Sequence, residues 1–238
     1  SVKAFEQYCN IRAKFALANV EKGKLNTSKA ALELDTVIKE LQDLTSLLGE
    51  TGERLTLLGS TNKRKVQLSL GKGLKLDLVA LDSAIDAYAN ASKKCNNSDP
   101  YPLCNWLILL QLKFWLEKEL NFTDTQQEAI ISLNKLLENA MKNIKPYNDY
   151  WAISHYASMS LTAFFLDQKV NLEKVNEAYL LLWAKAGHKG HKAAELEHLK
   201  LISSILAEIP ATKKSKNEEK EKSQLAAELL HKLVDQLT

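Results

Sequence analysis

The sequence predicts an all-α chain, an antiparallel stack of helical hairpins of α-solenoid type. Three observations carry this. Apolar residues recur at three- and four-residue steps almost throughout, and no long segment alternates as a strand does. Only eight Gly and four Pro occur in 238 residues, while straight-chain helix formers abound. The breaks are short, and short connections make consecutive helices antiparallel neighbours.

The first helix is expected from Val2 to Lys22, with Phe5, Tyr8, Cys9, Arg12, Phe15 and Ala16 on its core face, and Gly23 ends it. Asn26, Thr27 and Ser28 offer side-chain oxygens to cap the second, which carries Leu34, Val37, Ile38, Leu41, Leu44 and Leu48 and stops at Gly49. Thr51 starts a third helix bearing Leu55, Leu58 and Gly59, and Gly71-Lys72-Gly73 separates it from a fourth between Leu76 and Cys95. The segment from Asn96 to Pro102 is the clearest turn. A helix rich in aromatics follows, with Trp106, Leu109, Leu110, Phe114 and Leu116, and Thr123 or Asp124 caps the next. Lys145-Pro146 closes that one and Asp149 caps its successor. Two more helices run from Leu172 to Lys185 and from His188 to Ile209. The charge-dense run after Pro210 reads as a linker, and the last helix, Leu225 to Leu237, shows an apolar stripe of Leu225, Leu229, Val234 and Leu237. The expected organisation is a helical-repeat domain over 1–212, a charged linker or loop over 213–223 and a terminal helix over 224–238.

Charge and cysteine usage narrow the function classes. With 32 basic and 29 acidic residues the formal charge is +3, a near-balance unlike the one-sided excess of a nucleic-acid binder. Cys9, Cys95 and Cys104 lack metal or redox spacing, which favours idle thiols in a reducing, cytoplasmic setting. A disulfide between Cys95 and Cys104 across the turn is the minor alternative. No signal peptide and no apolar run of membrane-spanning length is visible. A first residue other than Met suggests an excised part of a larger protein.

Candidate chemistry is sparse. His191, Glu195 and His198 share a helical face near His188, a set that suits zinc, but Lys189 and Lys192 oppose a cation and no HExxH pattern is present. A solvated helix start is the favoured reading. Cys104 with His155 would be the minimum for a thiol nucleophile, yet Cys104 opens a hydrophobic helix where a buried thiol is the default. Glu117 and Glu119, like Glu218 and Glu219, lie beside lysines in solvated runs. Gly71-Lys72-Gly73 lacks the spacing of a phosphate loop. No catalytic residue, cofactor or metal is expected.

Lys63-Arg64-Lys65 fans over roughly 200° of a helix. From it Lys63 and Arg64 can meet an acidic peptide or a phosphate, or pair structurally with acidic neighbours such as Asp99. Lys72 and Lys75 extend the basic patch. Tyr101, Trp106, Tyr150, Trp151, Tyr156 and Trp183 read chiefly as core, with one or two left as anchors for a partner.

Ala84-x3-Tyr88-x2-Ala91 resembles the second-helix signature of a tetratricopeptide repeat, and Leu55-x2-Leu58-Gly59 resembles its first-helix signature. The two lie further apart than in that family, so the repeat is stretched. The ordered segments LLGSTNKRKV, AIDAYANASKK, DPYPLCNWL, DYWAISHYASMSL and AYLLLWAKAGHKGHKAAELEHLKLISSIL, within 51–209, are similar to a divergent helical region of bacterial multidomain proteins. That region stands beside caspase-like CHAT or other effector modules. It is also similar to the TRAF-binding region of certain mitogen-activated kinase kinase kinases. The resemblance implies a scaffold and regulator, with catalysis in a separate domain. The expected function is therefore a non-catalytic protein–protein interaction module for a protein or peptide partner, such as an effector domain of the same protein. Asn62, Lys63, Arg64 and Asn105 would supply polar contacts, with Tyr101 and Trp106 shaping the wall. The alternatives are self-association into a homo-oligomer through the terminal helix and, behind it, a metal-dependent enzyme at His188–His198. Membrane and nucleic-acid partners are not expected.

Overall fold

The computed structural model describes residues 1–71, 75–117, 122–168, 170–187, 189–209 and 217–236, with ten helices and no strand among them. They are α1 (Val2–Glu21), α2 (Thr27–Leu48), α3 (Gly52–Leu70), α4 (Leu78–Lys94), α5 (Pro100–Glu117), α6 (Asp124–Asn143), α7 (Tyr150–Phe165), α8 (Leu172–Lys185), α9 (Lys189–Ala207) and α10 (Asn217–Asp235). The described residues are all-α. The chain divides into two compact units, Ser1–Pro102 and Leu103–Thr238.

The helix starts follow from capping chemistry, since a short oxygen-bearing side chain can satisfy an orphan amide of the first turn. Asn26 accepts from the Lys29 amide at 2.8 Å, Asp77 from Ala80 at 2.9 Å, Asp149 from Ala152 at 2.8 Å and Asn171 from Lys174 at 3.0 Å. Thr123, rather than Asp124, is the cap of α6, because Gln126 answers it in a reciprocal capping box. Gly49 stops α2 at φ 82°. Of the expected Gly71-Lys72-Gly73 break, only Gly71 lies within the described residues, as the cap that ends α3.

In the first unit α3 is the central element, packed against α1, α2 and α4. Gly59 meets α4 at the face of Tyr88: a Cβ there would lie 2.9 Å from two ring atoms. Ala84 and Ala91 flank that ring and are fully buried with it. The four- and three-residue steps of Ala84, Tyr88 and Ala91 also occur in α2 as Ala30, Leu34 and Val37, all fully buried.

The face of α1 differs from the expected one. Cys9, Ala13, Ala16, Leu17 and Val20 are buried, whereas Phe5, Tyr8 and Phe15 are 38%, 54% and 62% exposed. Small residues let α1 approach its neighbours closely, and that turns the bulky members of the expected stripe outward. Glu6 goes in with the core face and pairs with buried Arg54 of α3 at 2.8 Å. Arg54 also donates to the carbonyl of Gly49, so one guanidinium joins α1, α3 and the end of α2. Arg12 bridges to α2 through Glu33 at 2.6 Å and Glu40 at 2.5 Å. Burial, with Glu40 nearby, pushes the Cys9 thiol up to about 11. No disulfide joins Cys9, Cys95 or Cys104, so the Cys95–Cys104 bridge is not formed.

In the second unit α7 packs on α6 and α8, and α10 on α9 and α8. The helix α10 begins at Asn217, inside the run expected as linker, and residues 210–216 lie outside the described ones. Its buried face is Ala226, Leu229, Leu230 and Leu233, while Leu225 is exposed and Leu237 lies outside the described residues. The apolar stripe is shifted by a residue from the expected one, and it is occupied within the unit.

Candidate partner-binding site

Four of the six candidate contact residues belong to the first unit and lie along α3 and the start of α5. Tyr88 and Ser60, both buried, share a hydrogen bond of 2.9 Å across the α3–α4 hairpin. The Tyr101 hydroxyl stands 3.5 Å from the same Ser60 oxygen, and the two phenol rings meet edge to face with centroids 6.3 Å apart. The Lys63 ammonium lies over the Tyr88 ring, 5.9 Å from its centre, within reach of a cation–π attraction. Tyr101 is held there because Asp99 accepts from its amide at 3.0 Å at the start of α5.

Lys63 and Arg64 make the crevice electropositive. Burial acts to raise the Tyr101 phenol, but the Lys63 charge, the Ser60 hydroxyl and the Arg64 charge outweigh it and bring it below the ordinary tyrosine value. Burial, reinforced by the neighbouring Tyr101, drives Tyr88 well above that value.

The candidate residues are not equally accessible. Lys63 is half-buried and Tyr101 is 42% exposed, so these two form the open edge. Arg64 is buried, and Asn62 is buried with its amide donating to the Leu58 carbonyl at 3.0 Å. Lys65 pairs instead with Asp35 of α2 at 2.6 Å. Asn105 and Trp106 lie in the second unit and are buried, at 4% and 3% exposure. Ser60 and Tyr88 are the members that sequence reasoning left out of the site. Tyr88 was read as a repeat-packing residue, and its hydroxyl was the signal that it also faces a polar partner.

The second unit holds a separate polar cluster. Glu195 of α9 accepts from Ser154 at 2.6 Å and from Tyr150 at 3.1 Å, and the His191 ring stacks on Tyr150 at 3.7 Å. The carboxylate expected to join the histidines is thus turned onto α7. His188 lies outside the described residues, and among those described no group of three or more His, Cys, Asp and Glu could hold a metal. Trp151, 62% exposed, stands beside Tyr150 and His191.

The hairpin order, the Gly59–Tyr88 contact and the repeated spacing in α2 and α4 make the N-terminal part of the chain a tetratricopeptide-like repeat region. More particularly, residues 2–110 match the family model described as Tetratricopeptide Repeats-Sensor. That match takes in α1 and α2, which the resemblance drawn over 51–209 left out. No curated protein and no solved structure matches the chain. Repeats of this type generally mediate protein–protein interactions and are generally non-catalytic. Among the described residues no helix is long and apolar enough to cross a membrane.

Proposed function

We propose that this chain is a non-catalytic protein-interaction module that receives an acidic helix or extended peptide at the crevice edged by Lys63 and Tyr101. The observation that carries the reading is the placement of Lys63 over the Tyr88 ring, with Arg64 next to it on α3, beside the open edge at Tyr101, since the field of these cations favours a partner's carboxylate or phosphate. The buried Ser60–Tyr88 pair fixes the floor, so the edge is preorganised and little ordering is needed on binding. The partner is an effector module, such as a protease, in the same cytoplasmic protein or docked to it. The word sensor in the matching family's description fits a module that reports whether that partner or its peptide is present.

The test uses the full chain and two fluorescein-labelled amphipathic peptides, one Glu/Leu-rich and one Lys/Leu-rich, followed by anisotropy. The acidic peptide should bind and the basic one should not. Lys63→Glu should weaken binding at least about tenfold with the helical circular-dichroism signal retained, the loss of its contact over the Tyr88 ring costing about 0.5–1 kcal/mol of stability. Equal binding of both peptides, or no effect of Lys63→Glu, would overturn the proposal.

A further inference from the structure

Within the second unit, two buried donors on α8 make no hydrogen bond among the described residues. One is the hydroxyl of Tyr179, a fully buried side chain, and the other is the indole N–H of Trp183, one turn further along. Their rings stand 5.3 Å apart, centre to centre. Burial, reinforced by Glu195 and then by Cys104 and Tyr150, drives the Tyr179 phenol well above the ordinary tyrosine value, so it keeps its proton. The groups that act on this hydroxyl place it among α5, α7 and α9, in the field of the Glu195 carboxylate. Buried donors without partners cost stability, and a folded chain rarely keeps two of them a turn apart.

The surroundings define what would satisfy them. Glu195 accepts from the Ser154 and Tyr150 hydroxyls, donors that favour its charged form, and a carboxylate here turns anions away. Aromatic rings gather about it. Tyr150 carries His191 stacked on its face and Trp151 set edge-on to both, and Tyr179 with Trp183 stands on α8. A carboxylate among aromatic faces attracts an ammonium group. The two α8 donors call for an acceptor, and a carbonyl oxygen has two lone pairs, enough for both. The cluster also reaches the surface, with Trp151 62% exposed and His191 and Trp183 half-buried.

We propose that this cluster binds a primary amine with a carbonyl group on the adjacent carbon, the ammonium group beside Glu195 and the carbonyl oxygen accepting from Tyr179 and Trp183. A free amino amide and the N-terminus of a peptide both present that chemistry. The site is independent of the Lys63 crevice, which belongs to the first unit.

The test is calorimetric titration of the full chain with three compounds: L-phenylalaninamide, its N-acetyl derivative, which has no ammonium group, and phenethylamine, which has no carbonyl. The amide should bind with a dissociation constant below about 1 mM, and the other two at least about tenfold more weakly. A phenylalanyl-diglycine amide with a free N-terminus, titrated alongside, assigns the source. Equal or tighter binding points to a peptide N-terminus, and weaker binding to a free small amine. Tyr179→Phe should weaken the amide at least about tenfold while the melting temperature of the free chain holds or rises, because the substitution removes an unpartnered hydroxyl. Trp183→Phe should weaken binding in the same direction, and Glu195→Gln should abolish the preference for the amide over its N-acetyl derivative. Lys63→Glu should change none of this. No binding of the amide at about 10 mM, or equal binding of all three compounds, overturns the proposal. So does a Tyr179→Phe chain that melts lower and binds as before, the result expected of a hydroxyl with a purely structural role.

Discussion

Replacing Gly59 by Ala tests the repeat at its closest point. An added Cβ would stand 2.9 Å from Cδ2 and Cγ of Tyr88 and 3.0 Å from Cδ1. Carbon atoms at rest need about 3.5–4.0 Å, so either the ring or the whole of α4 must retreat by about 0.5–1 Å. Retreat is resisted because Ala84 and Ala91 are fully buried on either side of Tyr88. Over-packing of this kind costs about 1–3 kcal/mol, and stretching the Ser60–Tyr88 hydrogen bond adds about 1 kcal/mol. Ala is the better helix former by about 1 kcal/mol, so the net loss should be about 2 kcal/mol. Urea denaturation reads it as a lowered midpoint with an unchanged slope. The decisive measurement is the same substitution in a Tyr88→Leu background. There the ring is gone, and the first hairpin already carries Ala13 and Leu34 at the corresponding positions. Gly59→Ala should then become neutral or stabilising by up to about 1 kcal/mol. A stabilised single variant, or an equal loss in both backgrounds, would refute the steric account.

Two further outcomes are expected. Arg54→Ala strands the Glu6 carboxylate in the core and removes a donor from Gly49, so it should cost about 3–5 kcal/mol, whereas Glu6→Leu with Arg54→Met should come within about 1–2 kcal/mol of the wild type; thermal melts of the wild type and the two variants decide it. For Tyr101 the folded phenol ionises earlier than the unfolded one, so its contribution to stability grows as pH rises through the folded value toward the unfolded one. Absorbance at about 295 nm should show one early tyrosinate, lost in Tyr101→Phe and shifted to higher pH in Lys63→Ala, and no early phase in the wild type would contradict the electropositive crevice.

The repeat was legible where local spacing alone decides the packing. Ala84, Tyr88, Ala91 and Gly59 read correctly because small residues at helical steps have few other uses. The side of α1 was not legible in the same way, since Phe5, Tyr8 and Phe15 recur at core spacing as faithfully as Ala13 and Ala16 do. Only the close approach of α2 and α3, set by those alanines, decides which series goes inside. The crevice divided along a similar line. Lys63 and Tyr101 stood out by residue type. The Ser60–Tyr88 bond depends on the register of two helices joined by a long connection, which no pattern in either helix reveals. Trp106 illustrates the converse: an aromatic near a turn looked available, but α5 is buried on nearly every side from Pro102 to Leu110.

The pairing of Glu6 with Arg54 also bears on how this chain can change over generations. Each residue alone is tolerable in the core only because the other is there, so neither position can drift singly without passing through a poorly folded ancestor. Related chains should hold both charges or neither. The helix that carries Phe5, Tyr8 and Phe15 is thereby locked in rotation against α3, and its outer aromatic face is inherited along with the ion pair.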